Sequence, residues 1–107
     1  MGHVFHIDDL SRQRAEINKL YFEFLRVPAM SAGFYVLPKA GADLQKPHRE
    51  DEMYYVVRGR AQMQIGSEHA DLRPGSVVFV EAEIEHRFYD IQEELEVLVF
   101  FAPAEQE

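Results

Sequence analysis

Hydrophobic and polar residues alternate along most of this chain in short runs. In the clearest run, Ala61, Met63 and Ile65 alternate with Gln62 and Gln64. A period of two places successive side chains on opposite faces of an extended backbone and is typical of half-buried β-strands. Comparable strand-like runs occur at residues 20–25, 33–37, 53–58, 69–72, 76–80, 86–91 and 95–101. Seven or eight strands at spacings of about ten residues, separated by turn residues, predict an all-β sandwich or barrel.

The beginning of the chain follows a different pattern. Residues 8–18 are polar and contain neither Gly nor Pro, and Asp8 or Asp9 could cap a helix there. We therefore predict an N-terminal arm with a short helix, residues 1–18, followed by a single β-barrel domain, residues 19–107. A chain of 107 residues is long enough for one such core.

Composition and charge narrow the possible partners and location. Apolar residues make up 47% of the chain, which is typical of a globular protein. The formal net charge of −8 opposes phosphate backbones and anionic lipids, so we expect neither nucleic acid nor a membrane as a partner. The chain contains no Cys, which excludes a disulfide framework or a cysteine nucleophile. Together with an N-terminus unlike a signal peptide, this absence predicts a cytoplasmic location.

Two of the five histidines, His48 and His86, follow charged turns and precede strand-like runs. In an extended backbone Glu52 and Tyr54 share one face, and His86 and Phe88 share another. If both faces point into a barrel, His48, Glu52 and His86 could converge near one mouth. Two imidazoles and one carboxylate can bind Fe(II), Mn, Ni or Zn and leave coordination positions open. The alternative interpretation is a solvated charged loop, the commoner origin of such a pattern.

These residues resemble the two motifs of the cupin superfamily, whose members include small jelly-roll β-barrels. Glu52 and Gly59, with six residues between them, match the second half of the first motif. His48 lies where the second histidine of that motif would be. Gly75 and His86 match the second motif with the spacing intact.

The resemblance extends over about residues 34–101 and implies a small single-domain cupin, an all-β jelly-roll barrel preceded by the short helical segment. It also implies that His48, Glu52 and His86 bind one divalent metal ion, Fe, Mn, Ni or Zn. The identity of the ion is not determined by these residues.

The first motif departs from the family pattern at one ligand position. Lys46 stands where the family usually has its first histidine. In a second alignment His48 takes that first position and Glu50 becomes the next ligand. Gln45 could also contribute a carbonyl oxygen, so either Glu50 or Gln45 is an alternative for the missing ligand.

The second motif departs in the turn before its histidine. Glu81 replaces the usual Pro, and Glu83 replaces the usual Gly. Because Glu tolerates a positive φ poorly, we expect a turn of different shape here. Asp90, in the position of the family's Asn, is expected to orient the end of a strand.

The resemblance implies a metal-dependent enzyme that acts on a small organic molecule, with dioxygenase-like or isomerase-like chemistry. The nearest groups for proton transfer would be Lys46, Glu50 and Tyr54. Tyr54 and Phe88 are expected to line the substrate pocket, because they share the faces of Glu52 and His86.

A non-catalytic alternative remains open: a cupin, with or without metal, that holds a small ligand and acts as a binding or dimerisation module. A homodimer is expected because the strand at residues 20–25 carries more aromatic surface than a solitary small barrel should expose.

Overall fold

A computed structural model describes residues 2–43 and 46–106 of the chain. It is mostly β-structure with one short helix near the N-terminus, which confirms the predicted fold class. The elements are α1 (Ile7–Glu16), β1 (Tyr21–Val27), β2 (Met30–Leu37), β3 (Asp51–Ile65), β4 (Glu68–Leu72), β5 (Val77–Val80) and β6 (His86–Ala102).

Two long antiparallel strands, β3 and β6, form the central ladder of the fold. Their register runs from Asp51 opposite Ala102 to Ile65 opposite His86. The polar and glycine interruptions that predicted strand ends at Gly59 and at residues 92–94 lie inside these strands. Register shifts between residues 56 and 62 of β3 bend the ladder instead, as β-bulges do. The predicted strands at residues 53–58 and 61–65 therefore form one long bent strand, β3. Those at residues 86–91 and 95–101 form another, β6.

The ladder organises the remaining strands of the sheet. The strand order is β1-β2-β6-β3-β4, and β5 also pairs with β3, at a different part of that strand from β4. The first part of β3 pairs with β5, as in Glu52 opposite Val80, and its last part pairs with β4. Among the residues that the structure describes, the core enclosed by the curved sheet has 14 buried members, which are Leu37, Tyr54, Val56, Ala61, Met63, Leu72, Val78, Val80, Phe88, Ile91, Leu95, Val97, Val99 and Phe101.

The predicted alternation of inward and outward side chains is observed on both long strands. Glu52, Tyr54 and Val56 of β3 are buried, whereas their neighbours at 51, 53 and 55 are exposed. His86 and Phe88 are buried at the start of β6. The residues predicted to share inward faces do so, and this places polar groups inside the barrel.

Helix α1 packs on the outer face of the sheet. Leu10 is buried there together with Phe34 and Val36, and Phe22 and Phe24 of β1 are partly buried against the same cluster. The aromatic surface of β1 on which we based a homodimer is therefore partly covered by the chain's own N-terminal residues. The division into an arm, residues 1–18, and a barrel domain, residues 19–107, stays a prediction. Among the residues described, no helix is long and apolar enough to cross a membrane.

Candidate metal centre

Three of the predicted site residues meet at one end of the barrel. His48, Glu52 and His86 each present a ligand atom, and these atoms lie within 4.8 Å of one another. Nε2 of His86 is 3.0 Å from Oε1 of Glu52, and Nε2 of His48 is 3.9 Å from the same oxygen. Glu52 and His86 are each only 2% exposed, whereas His48 is partly exposed. Of the three ligand side chains, that of His48 is the most exposed, at 20%.

The convergence follows from the strand pairing. Glu52 lies opposite Val80 at the end of β5, and only the turn at residues 81–85 separates Val80 from His86. The long ladder alone would leave Glu52 and His86 at opposite ends, because His86 pairs with Ile65. Curvature of the sheet brings the two ends together.

Hydrogen bonds fasten the turn at residues 81–85 to the segment that carries His48. The N–H of Glu83 donates to the carbonyl oxygen of His48 at 2.7 Å. The N–H of Ala82 donates to Oδ1 of Asp51 at 2.9 Å. The two histidines are thus held at a fixed separation, with ring centroids 5.7 Å apart.

Glu83 adopts a left-handed backbone conformation, which glycine adopts most readily. The N–H of Ile84 donates to the carbonyl oxygen of Glu81, and Glu83 has φ of 69°, as the third residue of a type II turn does. Glu83 adopts this left-handed conformation at a cost of about 1–2 kcal/mol for a residue with a side chain. That the replacement of Gly changes the shape of the turn stays a prediction.

The ring of His86 is oriented by its own turn. Its Nδ1 donates to the carbonyl oxygen of Ile84 at 2.9 Å, which leaves Nε2 facing Oε1 of Glu52 and the hydroxyl of Tyr54, 3.1 Å away. Burial lowers the pKa of His86, but the hydrogen bonds to Glu52 and Ile84 together with the charges of Glu52 and Asp43 outweigh burial, and the pKa is raised. A ring nitrogen this close to a carboxylate oxygen requires either a proton or a metal cation between them.

The ring of His48 is oriented by a residue that the sequence did not reveal, Glu105. Nδ1 of His48 lies 3.1 Å from Oε2 of Glu105, and the ring packs edge-on against Phe101 at 5.0 Å between centroids. The hydrogen bond to Glu105 raises the pKa of His48, and the charge of Glu52 adds to this against the opposing effect of burial. With Nδ1 engaged, Nε2 is left to face Glu52.

Glu105 owes its position to a set of backbone hydrogen bonds beyond β6. Its N–H donates to Oγ of Ser31 at 3.0 Å, and its carbonyl oxygen accepts from the guanidinium of Arg26 at 2.9 Å. The next residue, Gln106, donates its N–H to Oε2 of Glu50 at 3.0 Å. No periodicity or spacing in the sequence marks Glu105, because it lies outside every strand.

The other charged residues predicted for the site, Glu50 and Lys46, differ in burial. Glu50 is buried, and its Oε2 accepts the hydrogen bond from Gln106; it is not part of the cluster of ligand atoms found among the described residues. Lys46 is exposed. Gln45 lies outside the described residues. A proton-transfer role for Lys46 or Glu50 stays a prediction.

The two aromatic residues predicted for a substrate pocket are both inside the barrel. Tyr54 and Phe88 are 0% and 1% exposed, and their rings pack edge to face with centroids 5.0 Å apart. The hydroxyl of Tyr54 lies within hydrogen-bond distance of His86, so Tyr54 contributes a polar group to the site. Phe88 contributes only its ring contact with Tyr54. Their contact with a substrate stays a prediction.

The fold and the cluster together define a small β-barrel protein with a potential His/Glu/His metal site at one end. Residues 33–101 match the family model of the cupin domain, and the chain belongs to this family. The chain is also 46% identical over 102 residues to protein SCO3923 of Streptomyces coelicolor, a match that covers 95% of this chain and 97% of that protein.

Solved structures of low sequence identity share the fold. A cupin 2 conserved barrel domain protein of Rhodopseudomonas palustris has a TM-score of 0.72 at 19% identity, over 81% of this chain and 62% of that one. The DMSP lyase DddQ of Ruegeria pomeroyi has a TM-score of 0.72 at 18% identity, over 77% and 45%. A putative mannose-6-phosphate isomerase of Ralstonia eutropha has a TM-score of 0.69 at 20% identity, over 78% and 83%. These likenesses show a common barrel.

The turn that joins the two histidines supplies a test. Replacing Glu83→Gly should raise the free energy of unfolding by about 1 kcal/mol, because glycine adopts a positive φ without steric cost. The matched control Glu81→Gly, in the same turn but without a positive φ, should lower it by about 0.5–1 kcal/mol. Chemical denaturation of both variants measures the difference, and equal destabilisation by the two would contradict the strained turn.

Proposed function

We propose that this chain binds a divalent metal ion through His48, Glu52 and His86 and acts on a small organic molecule beside it. One atom carries the proposal: Oε2 of Glu52, which is buried and has no hydrogen-bond partner among the described residues. An unpaired buried carboxylate oxygen is costly, and a cation bound to it would remove the cost.

The donor set fits the proposed ion. Two imidazole nitrogens and one carboxylate oxygen suit Fe, Mn, Ni or Zn, and three protein ligands leave positions open for a substrate or water. A metal ion bound there supplies Lewis-acid polarisation of a substrate oxygen or a lowered pKa for water.

The residues around the three ligands prepare them for this role. Ile84 and Glu105 engage Nδ1 of His86 and of His48, so both rings present Nε2 to the site. Such outer hydrogen bonds fix ring orientation and increase the basicity of the ligand. The hydroxyl of Tyr54 lies 3.1 Å from Nε2 of His86 and is the proposed proton donor or acceptor for the substrate.

The proposed reaction is dioxygenase-like or isomerase-like. It is supported by membership of the cupin family and by fold neighbours named as a lyase and as a putative isomerase. Oxygen consumption by the metal-loaded protein with candidate substrates would separate the dioxygenase reaction from the isomerase reaction.

A second candidate function, a non-catalytic binding and dimerisation module, is favoured by an apolar strip outside the barrel. Met53 lies opposite Phe79, and Tyr55 lies opposite Val77, in the pairing of β3 with β5. The four side chains are 40–61% exposed. A contiguous apolar strip on an acidic protein is a surface that a second copy could cover.

The metal proposal predicts one equivalent of Zn(II) bound by chelator-treated protein in a calorimetric titration. Glu52→Gln and His86→Ala should each weaken binding by about 100-fold or more, because each removes a ligand, and Glu105→Gln should weaken it by about 10–100-fold. His69→Ala, an exposed histidine outside the cluster, is the control and should bind like wild type. A wild-type protein that binds none of Zn(II), Mn(II) and Fe(II) would refute the proposal.

The raised pKa values of His48 and His86 predict opposite pH dependences with and without metal. In the metal-free protein their contribution to stability is complete below the ordinary pKa of 6.5 and is lost as pH rises through the raised folded values. Zn(II) must displace those protons, so the stabilisation that it provides should grow with pH over the same window. Thermal unfolding with and without Zn(II) across this window measures both pH dependences. An increase in Tm on adding Zn(II) that does not depend on pH would contradict the assignment of the two histidines as ligands.

The module hypothesis predicts a dimer that depends on the apolar strip. Sedimentation of wild-type protein should show a species of twice 12.5 kDa, and Phe79→Glu should shift it to the monomer by placing a charge in the interface. Val4→Glu, at an exposed position outside the strip, should remain dimeric. A wild-type monomer would exclude the dimerisation role.

A further inference from the structure

A cavity of about 190 Å³ adjoins the metal-site cluster. It is lined by side chains from β1, β2 and β6 and from the segment after β6, namely Tyr21, Tyr35, Val99, Phe101 and Glu105. Two of these residues also contact His48: Glu105 through its carboxylate, 3.1 Å from Nδ1, and Phe101 through its ring. The cavity and the cluster therefore share a wall.

The hydroxyl of Tyr21, one of the lining residues, has no hydrogen-bond partner among the described residues. Its oxygen is also buried. Burial, reinforced by the nearby carboxylates of Glu105, Glu23 and Glu52, raises the pKa of Tyr21, so the phenol remains protonated at neutral pH. A buried hydroxyl without a partner is costly, and a ligand that accepts its hydrogen bond would remove that cost.

The neighbouring strand is shaped to hold the Tyr21 ring in place. A Cβ atom at Gly33 of β2 would overlap the ring and the hydroxyl of Tyr21, so the phenol occupies the space that any other residue at position 33 would fill. This close fit holds the ring against the strand, at the boundary of the cavity.

The charged groups that act on the Tyr21 hydroxyl are mainly acidic, Glu105, Glu23 and Glu52 against Arg26. Among the described residues that line the cavity, Glu105 alone carries a formal charge, and the hydroxyl of Tyr35 is 3.4 Å from Oδ1 of Asp43. Arg26 has the opposite effect on Tyr21, and its guanidinium is paired with both carboxylate oxygens of Glu23. An excess of carboxylates opposes a second anion.

We propose that this cavity is the substrate pocket of the metal site and that it selects small uncharged or cationic molecules over carboxylates and phosphates. Tyr21 donates a hydrogen bond to the ligand, Glu105 accepts one from it, and Val99 and Phe101 contact its apolar part. The size agrees with a small ligand, because pockets for drug-sized molecules are about 300–1,000 Å³. The assignment as a substrate pocket depends on the proposed metal function; the charge selectivity does not.

Three probes of similar size and different charge test the selectivity: benzylamine, benzyl alcohol and benzoate. The protein is treated with chelator so that benzoate cannot bind through a metal ion. Binding is followed by the amide chemical shifts of Val99, which lines the cavity, and of Gly33, which lies against the Tyr21 ring and opposite Val99 in the sheet. Benzylamine and benzyl alcohol should shift both amides in a saturable way, and benzoate should bind at least about tenfold more weakly. Benzoate binding equal to that of benzylamine would overturn the proposal.

Variants of the lining separate the two polar contacts. Tyr21→Phe should weaken benzyl alcohol several-fold, whereas the control Tyr89→Phe, whose hydroxyl bonds to His69 on the outer surface, should leave it unchanged. Glu105→Gln should weaken benzylamine and strengthen benzoate, because it removes the charge and keeps the shape. If Glu105→Gln leaves the ratio of benzylamine to benzoate affinity unchanged, the charge assignment is wrong.

A parallel titration with Zn(II) distinguishes failure of this inference from failure of the metal site. If the protein binds no metal but shows the expected charge selectivity, the charge-selective cavity stands and the metal function is refuted. Zn(II) binding without any effect of the probes on Gly33 and Val99 would remove the cavity assignment and leave the metal site.

Discussion

The carboxylate of Glu52 is buried in the barrel, and the site is organised around the need to balance its charge. One of its oxygens faces His86 at 3.0 Å, and the other has no hydrogen-bond partner among the described residues. A charge removed from water in this way is tolerated only with a proton or a cation beside it. The raised pKa values of the two histidines are consistent with this balance: Glu52 raises the pKa of His86 against the effect of burial, and Glu105, with a smaller contribution from Glu52, raises the pKa of His48. A divalent ion would replace both protons.

The barrel and its inward faces could be predicted from sequence because both depend on local patterns. Alternation along β3 and β6 determines that Glu52 and His86 point inward, and the motif spacing identified His48 as their companion. The strand ends were less accessible to prediction. A glycine such as Gly59 marks a bend within a long strand as readily as an end, and only pairing with β6 distinguishes the two.

Glu105 and Tyr21 were beyond sequence analysis for a different reason. Glu105 reaches His48 because Ser31, Arg26 and Glu50 hold the segment after β6, and these contacts join residues far apart in the chain. Tyr21 occupies its place because Gly33 on the neighbouring strand has no side chain. Neither relation leaves a periodic signal. Together they give the site an oriented ligand on one side and an acidic, partly apolar cavity on the other.

The most direct measurement of the central claim is X-ray absorption spectroscopy of the zinc-loaded protein. Our account predicts one ion per chain, coordinated by two imidazoles and oxygen ligands, with one imidazole lost in His86→Ala. A bound ion without imidazole ligands, or a spectrum unchanged by His86→Ala, would contradict it.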